Sequence, residues 1–260
     1  MTGSTDTRSG STQTRPSPTP TGYGSTQTRS LVVWLWEWTK SIVVALVVWF
    51  FLRTFLVEAF RIPSGSMENT LLIGDFLFVN KALYGAEVPI VKTRLPAVRE
   101  PHRNDILVFD SVEEEGLKVV KRLIGVPGDT LSMEAGQLYR NGQAVSEPWA
   151  IKSDPMANAD PMQREQMRSW QTRHLVAGVD KTTYRPDLNN WGPIVVPRDS
   201  YFMMGDNRDG SYDGRYWGFL PRLNVRGRPL LVYYSFDGST YKPLPFFTSI
   251  RWARIFTMPQ

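Results

Sequence analysis

Two segments carry the side chains best suited to act together as a catalyst. One is Arg61-Ile62-Pro63-Ser64-Gly65-Ser66-Met67 and the other Val119-Val120-Lys121-Arg122-Leu123-Ile124. Serine is a weak nucleophile until a base takes its proton. The 260 residues include no cysteine and only His102 and His174, so Cys-His and Ser-His-Asp arrangements are poorly supplied. A lysine base is the economical reading, and Ser66 with Lys121 suggests a serine-lysine hydrolase.

Each half of that pair has an ordinary alternative. Ser-Gly-Ser by itself is a solvated turn, in which Pro63 fixes the approach and Gly65 allows a tight backbone. In an extended strand Lys121 shares a face with Val119 and Leu123, while Lys118, Val120 and Arg122 point the other way. A strand lysine either snorkels to water or stays on the apolar face, where desolvation lowers its pKa from about 10.4 and favours the neutral amine a base requires.

A third segment, Gly205-Asp206-Asn207-Arg208-Asp209-Gly210-Ser211-Tyr212-Asp213-Gly214-Arg215, supplies carboxylates. It fails as a calcium loop, because a count from Asp206 puts Arg208 at the third position and Trp217 at the twelfth. Mixed signs favour ion pairing within the loop or with Arg122, and Ser211 can orient a neutral lysine. Neither histidine has a second one at helical spacing, so a zinc protease is excluded. Both histidines are expected on the surface, and no metal or cofactor is expected.

The elements that would position these groups divide the chain into three. Residues 1–30 are rich in Ser, Thr, Gly, Pro and Arg, with Gly-Ser-Thr-Gln-Thr-Arg ending at Arg15 and again at Arg29, and are expected to be a disordered cytoplasmic tail. Residues 31–60 contain an uninterrupted apolar run at 42–52. Extended through Trp34, Trp36 and Trp38, or through Phe55, it reaches the roughly 20 residues needed to cross about 30 Å of hydrocarbon. A signal peptide's core would follow a short charged start, which makes a transmembrane anchor the better reading than a cleaved leader or a core helix.

Arg8, Arg15, Arg29 and Lys40 precede the span, so the tail should face the cytoplasm and 61–260 the outer side of the plasma membrane. Short β-branched or aromatic runs at 76–79, 106–109, 118–124, 131–133, 194–196, 201–204 and 230–236 predict a mainly β domain. Asn141-Gly142 predicts a hairpin. The polar, proline-rich stretch 147–190 reads as an insertion on that core, with one short helix that Asp160 caps over 161–170.

The formal charge of +5 and pI near 9.4 come from basic residues scattered among acidic ones, which suits a membrane surface better than nucleic acid. Phe246, Phe247 and Trp252 with Arg251 and Arg254 either touch lipid or belong to the core and rim of the last strands.

In order and spacing these segments resemble the bacterial type I signal peptidases. The resemblance rests on Ser64-Gly65-Ser66-Met67 with Leu71-Leu72-Ile73-Gly74-Asp75, on Lys121-Arg122 with Gly125-Val126-Pro127-Gly128-Asp129, and on Gly205-Asp206-Asn207-Arg208-Asp209. It covers roughly 35–80, 104–145 and 188–257. It implies a β-sheet, barrel-like catalytic domain behind one membrane helix, and an endopeptidase that removes signal peptides from exported preproteins after Ala-x-Ala type sites.

By the same resemblance Ser66 is the nucleophile, Lys121 the general base and Ser211 the hydroxyl that positions it, while Ser64 joins the Ser66 amide in an oxyanion hole. Ile62, Pro63, Met67, Leu71, Val119 and Val120 would contact substrate, which binds as an added strand. Asp206 with Arg122, and Asp213 with Arg215, would be ion pairs beside the site. Membrane lipid and the secretion translocon are further implied partners. Two positions depart from the family pattern: Glu68-Asn69 stands where Met-Pro or Glu-Pro is frequent, and Gly214 where serine is.

Two competing readings share these features. A membrane-tethered β module that binds exported chains without cutting them would not need the intact pair. A self-cleaving serine-lysine repressor would need a DNA-binding domain where the apolar span lies.

Overall fold

The computed structural model describes residues 2–3, 31–87, 93–154 and 156–260. The expected tail at 1–30 lies outside them apart from Thr2 and Gly3. The chain divides into two units, Met1–Ala45 and Leu46–Gln260. Helix α1 (Leu31–Phe51) continues through a wider turn, Leu52–Leu56. The stretch Leu31–Leu56 has 26 residues, with a mean hydropathy of 1.7 over an 18-residue window, and is long and apolar enough to cross a membrane. It stops short of the expected boundary at 60. Val57–Arg61 is strand β1, because its backbone groups pair residue by residue with β2 (Asp75–Asn80), from Val57 opposite Asn80 to Arg61 opposite Phe76.

The remaining strands are β3 (Ile106–Asp110), β4 (Lys118–Gly125), β5 (Thr130–Glu134), β6 (Gln137–Arg140), β7 (Gln143–Ala144), β8 (Trp191–Val195), β9 (Ser200–Met204), β10 (Phe219–Pro221) and β11 (Val225–Ser235). They form a seven-stranded sheet ordered β1-β2-β11-β3-β4-β9-β10 and a four-stranded sheet ordered β7-β6-β5-β8. Both are antiparallel, and neither closes into a barrel. The Asn141-Gly142 hairpin joins β6 to β7, with both residues at positive φ as a tight hairpin turn requires.

Strand β4 lies inside the large sheet and is buried on both faces. Val120 packs with Ile62, Met67, Leu71, Leu77, Ile106 and Val108. Leu123, and Val119 at its edge, pack instead with Leu107, Phe109, Tyr201 and Met203. The strand therefore carries Lys121 and Arg122 through a dry region between two cores.

The insertion is not a separate unit. Its helix α2 (Pro161–Gln171) starts at a reciprocal cap, with Gln163 N–H donating to the Asp160 side chain and Gln163 Oε1 accepting from Asp160 N–H. Met167, Trp170 and Leu188 then share a core with Ile124, Leu131, Ile194 and Phe202. At the C-terminal end Phe247, Trp252 and Phe256 are exposed rather than core.

Because Trp170 belongs to that shared core, Trp170→Ala should lower the unfolding free energy by about 3–5 kcal/mol. A urea midpoint for the full chain in detergent that stays unchanged would show the insertion to be energetically separate.

Candidate active site

Ser66 sits in the helical turn Gly65–Met67 that follows β1, and Ser64 is the extended residue before that turn, with φ −134° and ψ 158°. The first amides of a helical turn lack an acceptor inside it. The Ser66 N–H is therefore available to a group outside the turn, such as an oxygen gaining negative charge. Met67, 1% exposed, pins the turn to the core that holds Ile62 and Val120.

Lys121 lies opposite Leu107 in the β3–β4 ladder and is 3% exposed. Among the described residues its amine makes no hydrogen bond and no salt bridge. Burial pushes the ammonium down from its ordinary 10.5 to about 8, opposed by the charge of Asp213, assisted by Arg215 and opposed again by Asp206. Snorkelling to water is thereby ruled out for this strand lysine.

The loop after β9 closes against the Ser66 turn. Asn207 N–H donates to the Ser66 carbonyl at 3.2 Å. A Cβ at Gly205 would stand 2.2 Å from Ser211 Oγ and 2.4 Å from Ser66 O, so glycine is required for this approach. Ser211 is 4% exposed and its Oγ has no hydrogen-bond partner among the described residues, an unusual state for a buried hydroxyl.

Two buried, two-pronged ion pairs hold the loop. Arg122 donates through Nε to Asp206 Oδ1 at 2.8 Å and through Nη2 to Oδ2 at 2.7 Å. Arg215 donates through Nε to Asp213 Oδ1 at 2.9 Å and through Nη2 to Oδ2 at 3.0 Å. Asp213, at the start of helix α3 (Gly214–Trp217), also accepts from Gly205 N–H at 2.9 Å. Burial alone would raise the Asp213 carboxyl, but the Arg215 charge and hydrogen bonds, then the Lys121 charge, hold it below the usual range.

Ser64, Ser66 and Lys121 share a cavity of about 260 Å³ with Ile62, Pro63, Met67, Val119 and Val120. Leu71, expected at the substrate, is fully buried behind this wall and does not line it. Ser211 lies behind the pair rather than in the cavity. His102 is exposed, as expected, whereas His174 is half-buried with its ring edge-on to Phe219 at 5.0 Å, and burial lowers its pKa. Neither histidine lines this cavity.

Several contributors are absent from the sequence reading. Thr70 Oγ1 donates to Asp206 Oδ2 at 2.5 Å, and nothing in the 64–75 stretch marks it apart from its neighbours. Trp149 lies under the Arg122 guanidinium, 4.4 Å from charge to ring centre, but nothing in the irregular 147–190 pattern marks it. Glu147 pairs with Arg208 on the same loop, both nearly buried, at 2.6 Å.

An amine that gives up its proton readily, lining one cavity with two serine hydroxyls, is the kind of arrangement acyl transfer uses. The family model described as signal peptidase, peptidase S26, matches residues 35–234. The chain is similar to signal peptidase I of Pseudomonas aeruginosa, 36% identical over 224 residues that cover 81% of this chain and 76% of that one. It is also similar to signal peptidase I of Haemophilus influenzae, 30% identical over 262 residues that cover 84% and 74%. A crystal structure of a signal peptidase I from Enterococcus faecalis aligns with a TM-score of 0.34 at 31% identity, over 51% of this chain and 98% of that one.

The buried amine has a measurable cost. Below pH 8 both the folded and unfolded states carry a charged Lys121, and the drop from 10.5 to about 8 corresponds to about 3 kcal/mol against the folded state. Lys121→Met should therefore be more stable than the parent by about that amount at pH 7. The difference should close between pH 8 and 10.5, where the folded parent has already lost its proton. A gap that does not shrink over that interval would contradict a buried, proton-poor amine.

Proposed function

The chain belongs to the signal peptidase family, peptidase S26, and from that membership we propose that it cleaves signal peptides from preproteins by a Ser66-Lys121 mechanism. The observation that supports it most is the Lys121 amine, 3% exposed, unpartnered and lining the same cavity as Ser66. Lys121 as the neutral amine takes the Ser66 proton while Oγ attacks the carbonyl carbon of the scissile bond. The Ser66 N–H and the Ser64 hydroxyl receive the oxyanion, and Ser211 orients the amine. Lys121 then returns the proton to the departing nitrogen, and a water deprotonated by the same lysine releases the acyl group.

The walls contributed by Ile62, Met67 and Val120 are apolar and rigid, which suits small side chains of the Ala-x-Ala type. An apolar wall separates side chains by only about 1–3 kcal/mol per methylene, so larger residues must be refused by overlap. Only nine residues of chain lie between Leu56, where the apolar helix ends, and Ser66, which suits a substrate whose own apolar segment lies in the bilayer. The tail then faces the cytoplasm and the β domain the outer side. The exposed Phe247 and Trp252 are the candidate lipid contacts, and the translocon is a candidate neighbour.

A fluorogenic signal-peptide assay on the full chain tests this reading. Ser66→Ala and Lys121→Ala should each lose at least about a thousandfold in kcat/KM, as removal of one member of such a unit does. Only the neutral amine accepts a proton, so for the parent kcat/KM should rise about tenfold per pH unit up to about 8 and level above it. Activity retained in either variant would refute the mechanism. A folded parent that binds these peptides and never cuts them would favour the tethered binding module.

A further inference from the structure

We infer that a second cavity, across the Ser66-Lys121 pair from the first, receives the residues that follow the scissile bond and favours positive charge there. This rests on the peptidase reading above. The two cavities have Ser64, Ser66, Leu117, Val119 and Lys121 in common and differ in the rest of their walls. The first is walled by Ile62, Met67 and Val120. The second, about 420 Å³, has Phe109 and Trp217 at its base and Glu113, Glu114 and Tyr212 at its rim. A chain cut at Ser66 extends both ways from the reacting carbonyl. If its acyl half fills the first cavity, its amine half is left the second, beside the Lys121 nitrogen that must protonate it.

The charges in this second cavity are one-sided. Among its lining residues only Glu113, Glu114 and Lys121 are ionisable as acid or strong base, and Lys121 is neutral in its active form. Lys118, four residues after Glu114, belongs to the first cavity and is held by Glu58 at 2.8 Å. Glu113 is fixed in place: its Oε1 accepts from Tyr212 O–H at 2.9 Å and from Gln166 Nε2 at 3.3 Å, and Gln166 Nε2 also donates to Tyr212 Oη at 2.8 Å. That knot ties the β3–β4 connection to helix α2 and to the loop after β9. Glu114 is exposed, and no side-chain partner neutralises it among the described residues. The buried, unpartnered amine of Lys121 lines this cavity as well as the first, and the acidic rim sets the charge a chain placed here would favour.

The test uses the full chain in detergent and three peptides with the same residues before the scissile bond and Lys, Gln or Glu at the second position after it. At low salt kcat/KM should fall in that order, by about threefold to fivefold at each step, as for one exposed charge pair. The spread should narrow at high salt. Glu114→Lys should reverse the order and Glu113→Gln should reduce the Lys-to-Glu ratio. Each ratio is taken within one enzyme preparation, so partial loss of folded protein does not enter it. Equal rates for the three peptides in the parent, or a preference that survives Glu114→Lys, would overturn the inference and leave the peptidase reading standing. No cleavage of any peptide would overturn both.

Discussion

The whole arrangement depends on making one buried amine easy to deprotonate. Lys121 stands near two carboxylates, Asp206 and Asp213, and either of them free would hold a proton on it. Each is instead bound by a guanidinium through both oxygens, Asp206 by Arg122 and Asp213 by Arg215. At the ammonium the charge of Arg215 works against the pull of Asp213 and Asp206, and desolvation, the largest effect, decides the outcome: the amine falls to about 8. These ion pairs are poorly explained as stabilisers, since burying paired charges gains little over apolar packing. They are better explained as a means of removing negative charge from the neighbourhood of a base while keeping the loop rigid.

The sheet order makes that burial possible. Because β4 runs between β3 and β9, both of its faces are covered, and a lysine in its middle meets solvent only through the cavities it lines. The same order puts the loop after β9 beside β4, and the Ser66 turn, coming from the other edge through β1, is fastened to that loop by Asn207 N–H and by the contact that Gly205 permits. The segment after β7 grips the loop from outside: Ile151 N–H donates to Asp206 O at 2.8 Å, Arg208 N–H to Ile151 O at 2.9 Å, and Trp170 Nε1 to Arg215 O at 3.1 Å. Acyl transfer tolerates little misplacement of nucleophile and base, so a loop braced from both sides suits it.

Much of this was legible in the sequence, and the failures have physical causes. Strands at β2, β3, β4, β9 and β11 could be read because their β-branched and aromatic runs are bounded by turn residues, and the Asp160 cap because its chemistry is local. Strand β1 was absorbed into the apolar span, since Val57, Ala59 and Phe60 continue the same hydrophobicity and only pairing with β2 distinguishes them. The burial of Lys121 could be argued only as one of two outcomes, because alternation assigns a face but not what covers it. Trp149 and Thr70 were invisible for a related reason: their importance comes from a guanidinium that reaches them from another strand. His174 looked like surface until Phe219 and Trp170 enclosed it.

In the proposed mechanism, a base that gives up its proton readily and an acidic exit for the released chain are compatible, because the two act over different distances. The groups that act on the Lys121 proton are burial itself, Asp213, Arg215 and Asp206, and neither Glu113 nor Glu114 is among them. The two glutamates sit at an exposed rim, where water and salt reduce their field within about one Debye length, roughly 8 Å. A substrate side chain at that rim meets them at contact distance and feels a full, if modest, attraction. Selection by charge can therefore operate at the mouth of the second cavity while its depth remains dry, apolar and fit for an amine without a proton.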